Sequence, residues 1–210
     1  MKTIAVMPYW MGYYPDSNTG VSLGIRKLGG RHLLNYSLQL LNRSNLIDDI
    51  AIFSSDSRIA DYIEPKLRYR LFERPPYLDD FDVRIEQILD EFLQRTVAEI
   101  IVMLHPTSPF LKLSTLDACI RAVTSREYDS AFTAYRFQKF SWFRGKPLNY
   151  HLNKPTPHRR EIEPITVEQS SLYVFSRSIF EQERKRTAGK AHVQLVNHFE
   201  GHEIVVDGLD

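Results

Sequence analysis

With 210 residues the chain is long enough to bury a substantial core, and it reads as one domain over residues 1–210. A net charge of +1, from 27 basic and 26 acidic residues, argues against a nucleic-acid binder that works by bulk electrostatics. The single cysteine, Cys119, excludes an internal disulfide and fits a cytoplasmic setting, while no apolar run approaches the ~20 residues of a membrane span.

Residues 3–7 form the first predicted strand. Residues 8–31 follow as a long loop that carries Gly12, Gly20, Gly24, Gly29 and Gly30 together with Arg26, Lys27 and Arg31. A triphosphate needs backbone N–H groups that approach closely, which glycine permits, and fixed cations beside them. The spacing is neither that of a P-loop nor G-x-G-x-x-G, so a plain surface loop with turn glycines stands beside the phosphate reading. A helix is expected over 32–43, with Leu33, Leu34, Leu38 and Leu41 on one face, then a strand over 50–53 and a short helix over 57–63. Residues 81–95 are amphipathic through Phe81, Ile85, Ile88, Leu89 and Phe92.

"EIIVMLHP", residues 99–106, is a continuous apolar strand, as expected of a parallel sheet covered on both faces. In "LHPTSPF" just after it, Thr107 or Ser108 is expected to cap the next helix, with Pro109 at its first position. A plain cap accounts for those residues without a substrate. His105 is harder to account for that way, because it lies at the carboxyl end of the strand, where open α/β sheets bind ligands. Cys119 follows at helical spacing and reads as a small core hydrophobe.

Residues 129–137 are the next strand. From 136 to 168 the pattern gives way to aromatic, proline and basic residues, an arm or lid with its own hairpin turning at Gly145. Residues 170–180 read as a strand running into a helix, and 202–208 as the last strand. Asp207 at its end is a typical place for a Mg²⁺ carboxylate, with Asp210 as a second ligand; two solvated acids are the plain alternative. Strands alternating with helices at this spacing give a three-layer α/β/α sandwich with a mostly parallel sheet.

In order along the chain, these blocks resemble the acylneuraminate cytidylyltransferase family, which makes CMP-activated sialic, legionaminic or pseudaminic acids and, in a sister branch, CMP-Kdo. Residues 25–63, "IRKLGGRHLLNYSLQLLNRSNLIDDIAIFSSDSRIADYI", follow the family's "IKPLGGKPLIAYTI…S.LFD.VIVSTDDEEIAE". "IIVMLHPTSPF" is similar to "VVLLQPTSPLR", with His105 in place of Gln. "HRREIEPITVEQSSLYVFSRSIF" is similar to "RRQDLEPVYVENGALYIFKR", and "IVVDGLD" to "IDIDTEED".

The resemblance implies a nucleotide-diphospho-sugar transferase-like fold and transfer of CMP from CTP to an acidic sugar, with release of pyrophosphate. Gly20, Ser22, Arg26, Lys27 and Arg31 would hold the nucleotide. His105, Thr107, Ser108 and Gln169 would face the sugar acid. Arg159 matches an arginine facing the sugar acid or the phosphates, and Asp207 matches the second aspartate of a Mg²⁺ pair. No strong general base is visible, and His105 or a metal-bound water is expected to take that role. The aromatic segment implies a homodimer, with Phe140, Trp142 and Phe143 buried by the partner.

The family's phosphate-loop signature, "RGGSKRIPRKN", is absent. Counted back from Leu28, its arginine and two lysines fall on Tyr14, Asn18 and Leu23, and the first metal aspartate falls on Val205. Fewer cations around a triphosphate weaken both binding and transition-state stabilisation. Two rival expectations follow. One is a non-catalytic relative kept for binding or assembly; the other is a transferase for another nucleotide or a non-sugar acceptor, with Trp10, Tyr13 or Tyr14 stacking on the base.

Overall fold

A computed structural model describes residues 1–12, 22–80 and 82–204. The strands are β1 (Thr3–Pro8), β2 (Lys27–Leu28), β3 (Arg31–His32), β4 (Asp49–Ser54), β5 (Arg70–Glu73), β6 (Ile100–Leu104), β7 (Ser130–Phe137), β8 (Trp142–Phe143), β9 (Lys146–Pro147), β10 (Ile165–Ser176) and β11 (Ala191–Leu195). The α-helices are α1 (Leu33–Arg43), α2 (Ile85–Leu93), α3 (Leu113–Thr124) and α4 (Arg177–Glu183). The main sheet has seven strands in the order β11-β7-β10-β6-β1-β4-β5. Within it β1, β4, β5 and β6 run parallel, β11 is parallel to β7, and β10 runs antiparallel between β6 and β7.

Alternation along each strand divides the core. Ala5, Met7, Ile50, Ile52, Val102 and Leu104 meet Leu34, Leu38 and Leu41 of α1 and Leu116, Cys119 and Ile120 of α3. Ile4, Val6, Phe53, Ile101, Met103 and Phe175 meet Leu89, Phe92 and Leu93 of α2 and Phe180 of α4. Burial on both faces explains why these strands read as unbroken apolar runs. The fold is the expected three-layer sandwich. Among the described residues no helix is long and apolar enough to cross a membrane.

Four local expectations are corrected. The helix after "LHPTSPF" begins at Leu113 behind Lys112, so Thr107 and Ser108 are not its caps and Pro109 is not its first residue. Its first turn is met by a carboxylate from far along the chain: Glu200 accepts from the Lys112 backbone N–H at 3.3 Å, from the Lys112 ammonium at 3.1 Å and from the Thr115 hydroxyl. The short helix after β4 is a 3-10 turn, Ser57–Tyr62, capped by Asp56. The amphipathic stretch is helical only over Ile85–Leu93, and Phe81 lies outside the described residues. Finally, residues 202–204 pair with no strand, 205–208 lie outside the described residues, and Ala191–Leu195 is an edge strand not foreseen from sequence.

The segment after β7 does contain a hairpin. β8 and β9 pair antiparallel through Arg144 and Gly145, both at positive φ (49° and 76°), the geometry of a two-residue primed turn.

Candidate functional site

All strands of the main sheet except β10 deliver their carboxyl ends to one edge, and the predicted residues that the structure describes gather there or just beyond it. At the end of β1 the Tyr9 N–H donates to the Phe53 carbonyl (2.9 Å), which prolongs the ladder with β4 by one residue. Tyr9 is buried. Its hydroxyl pairs with the Ser22 hydroxyl at 2.7 Å, and Ser22 donates to the Trp10 carbonyl at 2.9 Å. Burial pushes the Tyr9 phenol up to about 12, so it stays protonated. Gly24 is required by close approach, since a Cβ there would lie 2.2 Å from the Tyr9 ring.

Arg26 is half-buried, and its carbonyl accepts the Leu33 N–H at 2.9 Å, which fixes the entry to α1. Lys27 is exposed. Gly29 and Gly30 turn β2 back onto β3 at φ 57° and 83°. Arg31 is engaged elsewhere. Its guanidinium makes a two-pronged pair with Glu64 (2.6 and 3.0 Å), donates to Gln39 (2.5 Å) and lies over the Tyr36 ring. Gly20, Tyr13, Tyr14, Asp207 and Asp210 lie outside the described residues.

Beyond β6 the chain is held by cross-links that sequence spacing could not disclose. The His105 backbone N–H donates to the Ser171 carbonyl (3.0 Å), and the His105 carbonyl accepts from Ser37 of α1 (3.1 Å). The Thr107 carbonyl accepts the Ile204 N–H (2.9 Å), which lays the chain after Glu200 alongside this loop. Ser108 is buried, and its hydroxyl has no hydrogen-bond partner. On β10 the register against β7 slips between Glu168 and Tyr173, where extra residues bulge out. A bulge of this kind re-aims side chains. Gln169, in the bulge, is buried; its amide N–H donates to the Gly201 carbonyl while its Oε1 has no partner. Two buried side-chain oxygens without partners on one sheet edge are what a ligand's donors would satisfy.

A cavity of about 270 Å³ opens beside the bulge between Tyr135, Glu168, Gln169, His198, His202 and Glu203. The Ser171 hydroxyl donates to Glu203 (3.2 Å), and burial raises the Glu203 carboxyl above its ordinary range. Glu168 accepts from the Tyr173 hydroxyl (2.5 Å); Tyr173 is itself pushed up to about 12 by burial and by that bond. His105 is driven down to about 4, mainly by burial and further by the charge of Arg186, so the imidazole is neutral at pH 7. A larger cavity of about 450 Å³, beside Met1, Glu99 and Arg177, opens at the opposite edge, away from His105.

The structure thus brings His105, Thr107, Ser108 and Gln169 to one edge. Arg159 is exposed on a short 3-10 turn, its Nε donating to the Gln138 carbonyl (2.9 Å) just past β7. Sequence reasoning missed Tyr9, Glu168, Tyr173, Arg186 and Glu203. For Glu168 a signal was present, an unbroken polar run "EQSS" inside an otherwise apolar strand. Among the described residues no group of three or more His, Cys, Asp or Glu side chains could hold a metal ion.

Residues 24–198 match the profile of the cytidylyltransferase family. No curated protein matches the sequence. Similar solved structures include a CMP:2-keto-3-deoxy-manno-octonic acid synthetase complexed with CTP, at 12% identity and TM-score 0.64 over 93% of this chain and 90% of that one. The bifunctional IspDF of Campylobacter jejuni aligns at 14% identity and TM-score 0.70, over 97% of this chain and 52% of its own, so the present chain spans about half of it. A 4-diphosphocytidyl-2C-methyl-D-erythritol synthase from Anaerococcus prevotii aligns at 17% identity and TM-score 0.60, over 97% and 90%. At these identities the likeness is one of fold, that of the nucleotide-diphospho-sugar transferases.

Proposed function

The chain belongs to the cytidylyltransferase family, and on that premise we propose that it transfers CMP from CTP to an acidic sugar of the sialic, legionaminic, pseudaminic or Kdo type. The observation that carries the acceptor site is the pair of buried, unpartnered oxygens, Ser108 Oγ and Gln169 Oε1, at the edge that also presents His105. Hydroxyl groups of a sugar supply the donors those oxygens lack.

In the reaction an acceptor hydroxyl oxygen bonds to the α-phosphorus of CTP, the bond to the bridging oxygen breaks, pyrophosphate departs, and the hydroxyl proton passes to water. His105, uncharged at pH 7, accepts a hydrogen bond from the attacking hydroxyl and aims it. The burial that keeps His105 neutral also makes it a weak base, so orientation is its main contribution. Lys27 and Arg26 lie on the nucleotide side and offset phosphate charge. Thr107 lines the acceptor side, and Arg159 approaches from beyond β7.

Magnesium belongs to the proposal through Asp207 and Asp210, which lie outside the described residues. When bound it supplies charge neutralisation at the phosphates. The exposed Phe140, Trp142, Phe143 and Leu148 support a homodimer formed through the hairpin segment. A cytoplasmic setting, in the activation of sugars for a bacterial surface polysaccharide, completes the reading.

One observation favours a second reading, a non-catalytic relative kept as an assembly scaffold without a nucleotide site: Arg31, the last cation of the loop, is paired with Glu64. Calorimetry with CTP, UTP, ATP and GTP in magnesium separates the two. The proposal expects CTP to bind tightest and to require the metal. Absence of any metal-dependent nucleotide binding contradicts it and leaves the second reading.

A further inference from the structure

Arg186 stands between α4 and β11, and its guanidinium carbon lies 4.0 Å from the centroid of the Tyr173 ring. That ring is fully buried, and its hydroxyl donates to Glu168 at the cavity beside the bulge. Arg31, Arg74, Arg177 and Arg184 each reach a carboxylate. Arg186 differs: among the described residues no carboxylate oxygen comes within 4.0 Å of it, and it makes no hydrogen bond. It is nevertheless half-buried.

A guanidinium carries five N–H donors in a planar fork that suits carboxylate and phosphate oxygens. Its nitrogens keep contact with water, so the fork is accessible to an incoming anion. The ring contact holds the guanidinium beside Tyr173 but accepts none of its N–H groups in the way an oxyanion does. The position is also informative. Tyr173 pairs with Met103 near the carboxyl end of β6, two residues before His105, and the charge of Arg186 is felt at the His105 ring. The two acids that line the cavity, Glu168 and Glu203, accept the hydroxyls of Tyr173 and Ser171.

We infer that Arg186, braced on Tyr173, binds an oxyanion at the carboxyl edge of the sheet, beside His105. Within the proposed function, on which the identity of the anion rests, the source is either the carboxylate of the acidic sugar or a phosphate of the nucleotide. Arg186 is then a substrate-contacting residue additional to those the sequence points to.

The test compares the wild type with Arg186→Gln and Arg186→Lys, after circular dichroism and melting temperature have established that each is folded. Calorimetry uses three probes: Mg-CTP, pyrophosphate and an acidic nine-carbon sugar. A loss of about tenfold or more in Arg186→Gln, partly restored in Arg186→Lys, supports the inference. Loss confined to the sugar assigns the carboxylate, and loss confined to CTP and pyrophosphate assigns the phosphate. Unchanged affinity for every probe that the wild type binds overturns it. Should the wild type bind none of the three, the functional reading fails on its own, and inorganic phosphate then decides the inference by NMR. A saturable shift of the His105 imidazole resonances that Arg186→Gln abolishes supports the inference, and no shift in the wild type overturns it.

Discussion

The backbone N–H of His105 donates to the carbonyl oxygen of Ser171 across 3.0 Å, so the end of β6 and the bulge of β10 are one unit. His105 is thereby held half-buried at the sheet edge, and Ser171 turns its hydroxyl to Glu203 at 3.2 Å.

Acid stability follows from that placement. His105 has a folded pKa near 4 against 6.5 when unfolded, so between these values the unfolded chain binds more protons. Stability therefore rises with pH through this window and is lost as pH falls from about 6.5 to about 4. Its share is at most ~3 kcal/mol, reduced by the ring's partial exposure. Glu203, raised by burial, has the opposite sign: its share is present at low pH and lost as pH rises through the carboxylate range. Urea unfolding at pH 7, 5.5 and 4.5 should show a steeper loss in the wild type than in His105→Gln. Equal slopes would contradict the placement of the ring.

A second prediction concerns Arg74, which is 2% exposed and paired with Asp79, whose other oxygen accepts from Ser55 at 2.5 Å. Asp79→Ala leaves a buried cation without its partner and should cost about 3–5 kcal/mol by denaturant midpoint. Adding Arg74→Met should restore much of that loss. No recovery would mean that the pair acts through something other than charge.

Gly24→Ala places a Cβ 2.2 Å from a Tyr9 ring that cannot retreat, because Tyr9 is 4% exposed and bonded to Ser22. The expected loss is about 1–3 kcal/mol in thermal unfolding. At Gly30 nothing lies within 4 Å, and only the φ of 83° opposes a side chain. Gly30→Ala should therefore cost ~1 kcal/mol. The reverse order would show that Tyr9 does not pack as described.

Trp142 and Phe143 are 53% and 58% exposed on the hairpin. If a second copy covers them, the double change Trp142→Ser, Phe143→Ser converts a dimer into a monomer in sedimentation velocity, with the melting of the isolated subunit little altered. A wild type that sediments as a monomer removes the dimer from the account.

The sheet was legible because strands buried on both faces are unbroken apolar runs, as in residues 100–104 and 172–175. β11 was not, since "AHVQL" mixes polar and apolar residues on an exposed sheet edge. The cap expected at Thr107 or Ser108 failed for a related reason. The start of α3 is met by Glu200, and nothing near residue 112 announces a partner 88 positions away. The place of His105 at the carboxyl end of β6 could be read, because "HPTSP" directly follows an unbroken apolar strand. The unpartnered oxygens, the bulge at Glu168 and the stacking of Arg186 on Tyr173 arise from packing between distant segments, which no local pattern encodes.

Transfer of CMP is proposed at the edge that presents His105, Ser108 and Gln169. Its most direct test is pyrophosphate release from CTP with magnesium, across a panel of sialic, legionaminic and pseudaminic acids and Kdo, alongside Ser108→Ala and Gln169→Leu. Release is expected with at least one acid, together with a rise in that acid's KM in both variants and retained CTP affinity. Silence across the whole panel, or full activity in both variants, would contradict it.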